Sequence, residues 1–287
     1  MDVAEAVRRA EEWAGASLGE LLHAFSGCRR IHVAWLGLRA RAAGLVLYWF
    51  LRQLTSLDVE LVLGEAAAYH TAAYRGSGGV CLLLYVEEGA ESSAVRVCDA
   101  YRFTGVESVT VLSPPLPAPV AARLRGQGVS LVDLPGWLEA VILSARLGLG
   151  LAERHGAGGV RVERLRGELG DLAGVAREAA ERFSALRSIG EGDFIAYSPT
   201  MEPPALLAWR PGVTLLPLSA ASALIASGRL RGARLYMLYT GVEDDLAREA
   251  RFKASLSTPP LSLVEVRVNT DPLTAPIYAS IAVLYGG

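Results

Sequence analysis

Nine short apolar runs, each set off from the next by helical or turn sequence, constrain this chain more than any other feature. The first five are R-I-H-V-A-W-L-G (30–37), D-V-E-L-V-L (58–63), G-V-C-L-L-L-Y-V (79–86), S-V-T-V-L (108–112) and V-S-L-V-D (129–133). Helical stretches at 42–54, 92–103, 119–126 and 136–154 alternate with them. The pattern pauses at H-G-A-G-G (155–159), and a long charged helix is expected over 161–188. Alternation then resumes with D-F-I-A-Y-S (193–198), G-V-T-L-L-P (212–217), R-L-Y-M-L-Y (234–239) and L-S-L-V-E-V-R-V (261–268), ending in a helical tail from about Pro276. Strands alternating with helices predict parallel sheets covered on both faces. The expected fold is α/β: two three-layer α/β/α lobes, 1–155 and a smaller 160–287 that includes the linking helix. Two helices are expected to open the chain, the second started by the capping box S-L-G-E at 17–20.

Composition removes several function classes. The net charge is −2, with no basic run to track phosphates, so nucleic acid is not an expected partner. The mean hydropathy is +0.31, yet the longest uncharged stretch, 211–227, contains Gly212 and Pro217 and falls short of the ~20 apolar residues a membrane span needs. The opening M-D-V-A-E-A-V-R-R-A reads as an amphipathic helix and not a signal peptide. Cys28, Cys81 and Cys98 include no C-x-x-C pair and read as buried reduced thiols, and a cytoplasmic location follows from that reading. His23, His32, His70 and His155 have no metal-ligand spacing, so neither a metal nor a cofactor is expected. Lys253 is the only lysine, which leaves one amine for any chemistry that needs a neutral one.

The stretch Y-V-E-E-G-A-E-S-S (85–93) lies between a buried strand and a helix, where many α/β proteins hold a phosphate on free backbone N–H groups. Here the turn carries Glu87, Glu88 and Glu91. A carboxylate about 4 Å from a phosphate opposes it by ~4 kcal/mol per unit charge pair at an effective dielectric near 20. Unless these charges are neutralised, phosphate is excluded.

Two such lobes, with these turns, resemble the sugar isomerase (SIS) domain family, and within it the archaeal bifunctional phosphoglucose/phosphomannose isomerases. The family's first phosphate turn, S-G-M-G-G-S-G, aligns with W-L-G-L-R-A: Gly37 is retained, while Arg39 stands at the phosphate-contacting serine. Its second, S-Y-S-G-N-T-x-E, aligns with V-E-E-G-A-E-S-S: Gly89 is kept, Val86 and Glu88 replace the serines, and Glu91 replaces the threonine. The family's E-I-R and P-L-A-T-P patterns are similar to E-V-R-V-N-T-D-P-L-T-A-P (265–276), with Ala282 at the lysine position. No histidine follows His155 to fill the ring-opening role, and Glu202 is the one carboxylate between 195 and 239 available as a base. The resemblance implies a sugar or sugar-phosphate ligand, a homodimer that exchanges helices, and a cleft built on Gly37, Arg39, Arg41, Glu87, Glu88, Gly89, Glu91 and Ser92.

Enediol isomerisation needs a base, a group to open the ring and fixed donors for the phosphate. All three are altered together, so the expected function is a SIS-fold carbohydrate-derivative-binding protein without isomerase chemistry. The alternative is an active isomerase with Glu202 as base and His70 or His155 opening the ring; a third reading is an enzyme for a cationic or neutral sugar. The glutamates are expected to pair internally, as Arg39–Glu88 or Arg41–Glu91, or simply to favour the helix start, the remaining reading being a surviving anion site built on Arg39. Trp35 is expected to plug the cleft, and His32 to be a satisfied core residue. Y-S-P-T-M-E-P-P (197–204) reads as a proline-rich turn, with Ser198, Thr200 and Glu202 as polar contacts if it lines a cleft.

Overall fold

The structure, a computed structural model, describes residues 2–75, 78–230, 232–259 and 261–285. The chain forms two compact units, Arg8–Gly170, and Asp171–Gly287 together with Met1–Val7. Most of α1 (Val3–Phe25) belongs to the first. There follow β1 (Arg30–Leu36), α2 (Leu38–Leu54), β2 (Asp58–Leu63), α3 (Gly64–Ala66), a π-helical turn (Ala67–Thr71), α4 (Ala72–Arg75), β3 (Val80–Val86), α5 (Glu91–Phe103), β4 (Ser108–Ser113), α6 (Ala118–Gly126), β5 (Ser130–Asp133), α7 (Trp137–Arg154) and α8 (Val160–Gly170).

The first sheet is wholly parallel, in the order β2-β1-β3-β4-β5. All seven residues of β3 are buried, as the continuous run V-C-L-L-L-Y-V requires of a central strand covered on both faces, whereas the edge strand β2 is only partly buried. On one face Val97, Cys98 and Tyr101 of α5 pack with Leu82, Leu84, Val109 and Val111. Elsewhere α2 lies against α7, and the two approach closely at Gly148, where an added Cβ would sit 2.5 Å from Phe50 Cβ. His32 is fully buried, its Nδ1 2.8 Å from the Tyr101 hydroxyl.

The second unit holds α9 (Leu172–Arg182), a 3₁₀ turn (Ser184–Ser188), β6 (Phe194–Tyr197), α10 (Glu202–Ala208), β7 (Thr214–Pro217), α11 (Leu218–Ala226), β8 (Arg234–Thr240), α12 (Asp244–Ser255), β9 (Ser262–Val268) and α13 (Ala275–Tyr285). Its sheet, also parallel, runs β7-β6-β8-β9, which repeats the order of the first four strands of the other sheet. Two apolar clusters cover its faces, one around α9, α10 and α13 and the other around α11 and α12.

Three expectations are corrected. The chain opens with one helix, because the buried stripe Ala10, Ala14, Leu21, Phe25 runs unbroken past the S-L-G-E box and burial outweighs capping. The linking helix breaks at Asp171, whose side chain accepts a hydrogen bond from Gly174 N and so starts α9 as a new helix. Cys28 and Cys81 are not free thiols: they form a disulfide that ties the segment before β1 to β3. With that bond the redox argument for a cytoplasmic location falls away. Cys98 remains a buried thiol, and burial, with Asp99 beside it, pushes its pKa up to about 12.

Thiol titration of protein unfolded without reductant should therefore find one thiol per chain, and the native protein none that reacts quickly. Three thiols in the unfolded protein would contradict the disulfide. Because the bridge spans 53 residues, replacing both cysteines with serine should cost the first unit ~4 kcal/mol in urea unfolding on the chain-entropy account.

Candidate functional site

In the first sheet the chain leaves β1 to one side and β3 to the other, so a crevice opens beyond the carboxyl ends of these two strands. Open α/β sheets hold ligands in such crevices. The register pairs Leu36 with Val86, and Glu87 N donates to Leu36 O at 2.9 Å, which sets Glu87 opposite Gly37. Gly37 turns the chain from β1 into α2 with φ of +107°, a conformation for which only glycine is suited.

Having no side chain, Gly37 cannot cap the helix it starts. Glu87 caps it from the other strand: its Oε2 accepts a hydrogen bond from Arg39 N at 3.2 Å, and its Oε1 lies 3.9 Å from Arg39 Nε. A Cβ on Gly37 would fall 2.2 Å from that same Oε2, so the carboxylate rests directly on the glycine. It stands where an incoming anion would meet the first amides of a 17-residue helix.

The ion pair is thus Arg39–Glu87, not Arg39–Glu88 or Arg41–Glu91. The parallel register brings Glu87 and no other glutamate of the turn onto Gly37. Arg41 instead lies with its guanidinium carbon 5.4 Å from the centre of the Trp35 ring. Glu91 accepts a hydrogen bond from Gly89 N at 2.9 Å and closes its own turn at the start of α5, where a carboxylate suits the dipole. Gly89 supplies the positive φ of that turn, and Ser92 is exposed on the first turn of α5. What fills the β1 turn is Glu87, while Trp35 is only partly buried and serves as the face for Arg41. Beside this plug, a depression of about 400 Å³ lies between the turns that follow β3 and β4, walled by Glu87, Glu88 and Glu91, the buried Ser113, and Pro114 and Pro115.

The second unit repeats the arrangement with different residues. Its crevice lies between β6 and β8, where Ser198 N donates to Leu238 O. Glu243, from the turn after β8, accepts from Thr200 N at 3.1 Å, Ser198 Oγ at 2.5 Å, Thr240 Oγ1 at 2.7 Å and Thr240 N at 3.3 Å. Thr200 is the third residue past β6, as Arg39 is the third past β1. Sequence reasoning missed Glu243, although T-G-V-E at 240–243 is a capping-box pattern. The segment 197–204 does line a crevice, with Ser198 and Thr200 making its contacts.

The other positions singled out by resemblance have different surroundings. Ala282 is fully buried in the apolar core. Glu265 accepts from the Tyr239 hydroxyl at 2.6 Å, and burial together with that bond holds the phenol up at about 12. Glu202 begins α10 in the second unit, whereas His70 and His155 belong to the first and are exposed. Among the described residues no three His, Cys, Asp or Glu side chains cluster so as to hold a metal ion, and no helix is long and apolar enough to cross a membrane.

No protein-family profile matches the chain, and no curated protein matches it. Solved structures do. A Salmonella typhimurium LT2 protein, provisionally described as sugar-binding, aligns over 98% of this chain and 97% of its own at 15% identity and a TM-score of 0.71. Glucosamine-6-phosphate deaminase from Thermotoga maritima aligns over 96% and 92% at 12% identity with a TM-score of 0.63. Tagatose-6-phosphate ketose/aldose isomerase from Escherichia coli aligns over 99% and 91% at 10% identity with a TM-score of 0.63. The chain shares their fold along its whole length.

Gly37 and Gly89 together test the plug, since both have positive φ but a Cβ on Gly89 would meet nothing within 4 Å. Gly89→Ala should cost ~1 kcal/mol of backbone strain in urea unfolding. Gly37→Ala should cost about 3 kcal/mol, because residue 37 holds a φ of +107° and the new Cβ must also displace the Glu87 carboxylate. Equal losses would show that Glu87 does not rest on the turn.

Proposed function

We propose that this chain is a member of the sugar isomerase (SIS) family, related to the archaeal phosphoglucose/phosphomannose isomerases, that binds a carbohydrate derivative without phosphate-dependent aldose–ketose isomerisation. The observation that carries the reading is the Glu87 carboxylate on Arg39 N, against Gly37. A phosphate brought to the same amides would stand within about 4 Å of that charge and be opposed by ~4 kcal/mol per charge pair. It would also forfeit the amide's present bond. Remote binding energy from a phosphate is what positions the reacting carbons of a sugar phosphate, so its loss removes an isomerase's main handle on its substrate.

The likeness of fold to proteins named for sugar binding and for phosphosugar chemistry supports the carbohydrate part of the reading. The depression lined by Glu87, Glu88, Glu91 and Ser113 supports a ligand that is neutral or bears an amine, since acceptors dominate its polar wall. The ligand is then an unphosphorylated sugar or amino sugar, and the protein acts as a sensor or regulatory subunit, as a homodimer.

Melting temperature with fructose 6-phosphate, mannose 6-phosphate, glucosamine 6-phosphate or inorganic phosphate, each against its unphosphorylated counterpart or chloride, tests this reading. A ligand at 100 times its dissociation constant adds ~2.7 kcal/mol to the native state. The expected result is no shift that depends on phosphate and a saturable shift with glucosamine. A phosphate-dependent shift, followed by turnover in a coupled isomerase assay, would favour an active isomerase with displaced residues such as Glu202.

A further inference from the structure

The four hydrogen bonds at Glu243 exceed what its place in the chain explains. A capping box accounts for its bonds with Thr240, three residues earlier. It does not account for Ser198 Oγ and Thr200 N, which come from the turn after a different strand. Ser198 and Thr240 are both fully buried and Thr200 partly so, and two hydroxyls and two backbone N–H groups converge on one carboxylate. That point lies at the ends of β6 and β8, where the strand order reverses and α/β sheets place ligands. A group that accepts from four donors and offers none is an oxyanion.

We propose that the crevice of the second unit is an oxyanion site in which the chain's own Glu243 is the resident ligand. The tethered carboxylate satisfies the donors and shuts out external anions. Its removal leaves two buried hydroxyls and two backbone N–H groups without their acceptor, a costly state that a small free oxyanion can relieve. Neutral donors alone make the freed site one for millimolar phosphate or sulfate, not for a tightly held dianion. The inference concerns residues of the second unit only and stands whether or not the first unit takes a sugar.

The experiment compares the full-length protein with Glu243→Ala and Glu243→Ser, recording melting temperature in chloride and in inorganic phosphate at matched ionic strength. Both variants should melt lower than the parent in chloride. Both should then gain a saturable ~2–4 °C with millimolar phosphate, while the parent gains none and the double variant Ser198→Ala/Glu243→Ala, lacking part of the cradle, does not respond. No phosphate-specific gain in either single variant, or an equal gain in the parent, overturns the proposal. Should neither variant hold its fold in chloride, refolding from urea reads the same property: recovery in phosphate alone is expected, and failure in both salts overturns it.

Discussion

The first amides of α2 emerge from a glycine that has no side chain to cap them, at the mouth of a crevice between two buried strands. These amides sit on exposed residues, so an acceptor can come either from water or from the protein. In this protein the partner is Glu87, delivered by the strand next door. The rest of the crevice follows from that bond. It fixes the turn after β3 against the turn after β1, draws the Arg39 side chain over the carboxylate, and leaves Glu88 and Glu91 to face the depression beyond β3. The pair itself is partly exposed and contributes modest energy. Its importance is positional, since a filled site cannot be filled again.

The second unit reaches the same end with different residues. Its carboxylate stands three residues beyond β8, whereas Glu87 directly follows β3, and it is held by hydroxyls and amides with no arginine among them. Parallel sheets of this strand order build an anion-seeking crevice by their geometry. The chain answers that demand twice from within. Two independent internal occupants are harder to ascribe to chance side-chain placement than one, and they agree with the burial of Ala282 and the absence of a histidine after His155.

All nine strands were legible because each is a short β-branched or leucine-rich run bounded by turn residues, and β2 even has the bounds its sequence suggests. The opening helix was misread because a capping box is a local signal, while the stripe through Ala10, Ala14, Leu21 and Phe25 that overrides it extends over four turns. Pairing of Arg39 with a glutamate of the 87–91 turn was legible as one of several readings, from charge and from the resemblance that sets the turns after the first and third strands side by side. Which glutamate does it was not, since that depends on the register pairing Leu36 with Val86, a property of two strands some fifty residues apart in sequence. The disulfide was hidden for the same reason: cysteine spacing reports nothing about which strands become neighbours.

The most direct test of the account is a crystal structure of the unmodified protein grown from concentrated phosphate or sulfate. The account predicts the Glu87 carboxylate on Arg39 N and against Gly37, with no ordered anion in the first crevice. An anion bound to the amides of α2, with Glu87 turned away into solvent, would contradict it.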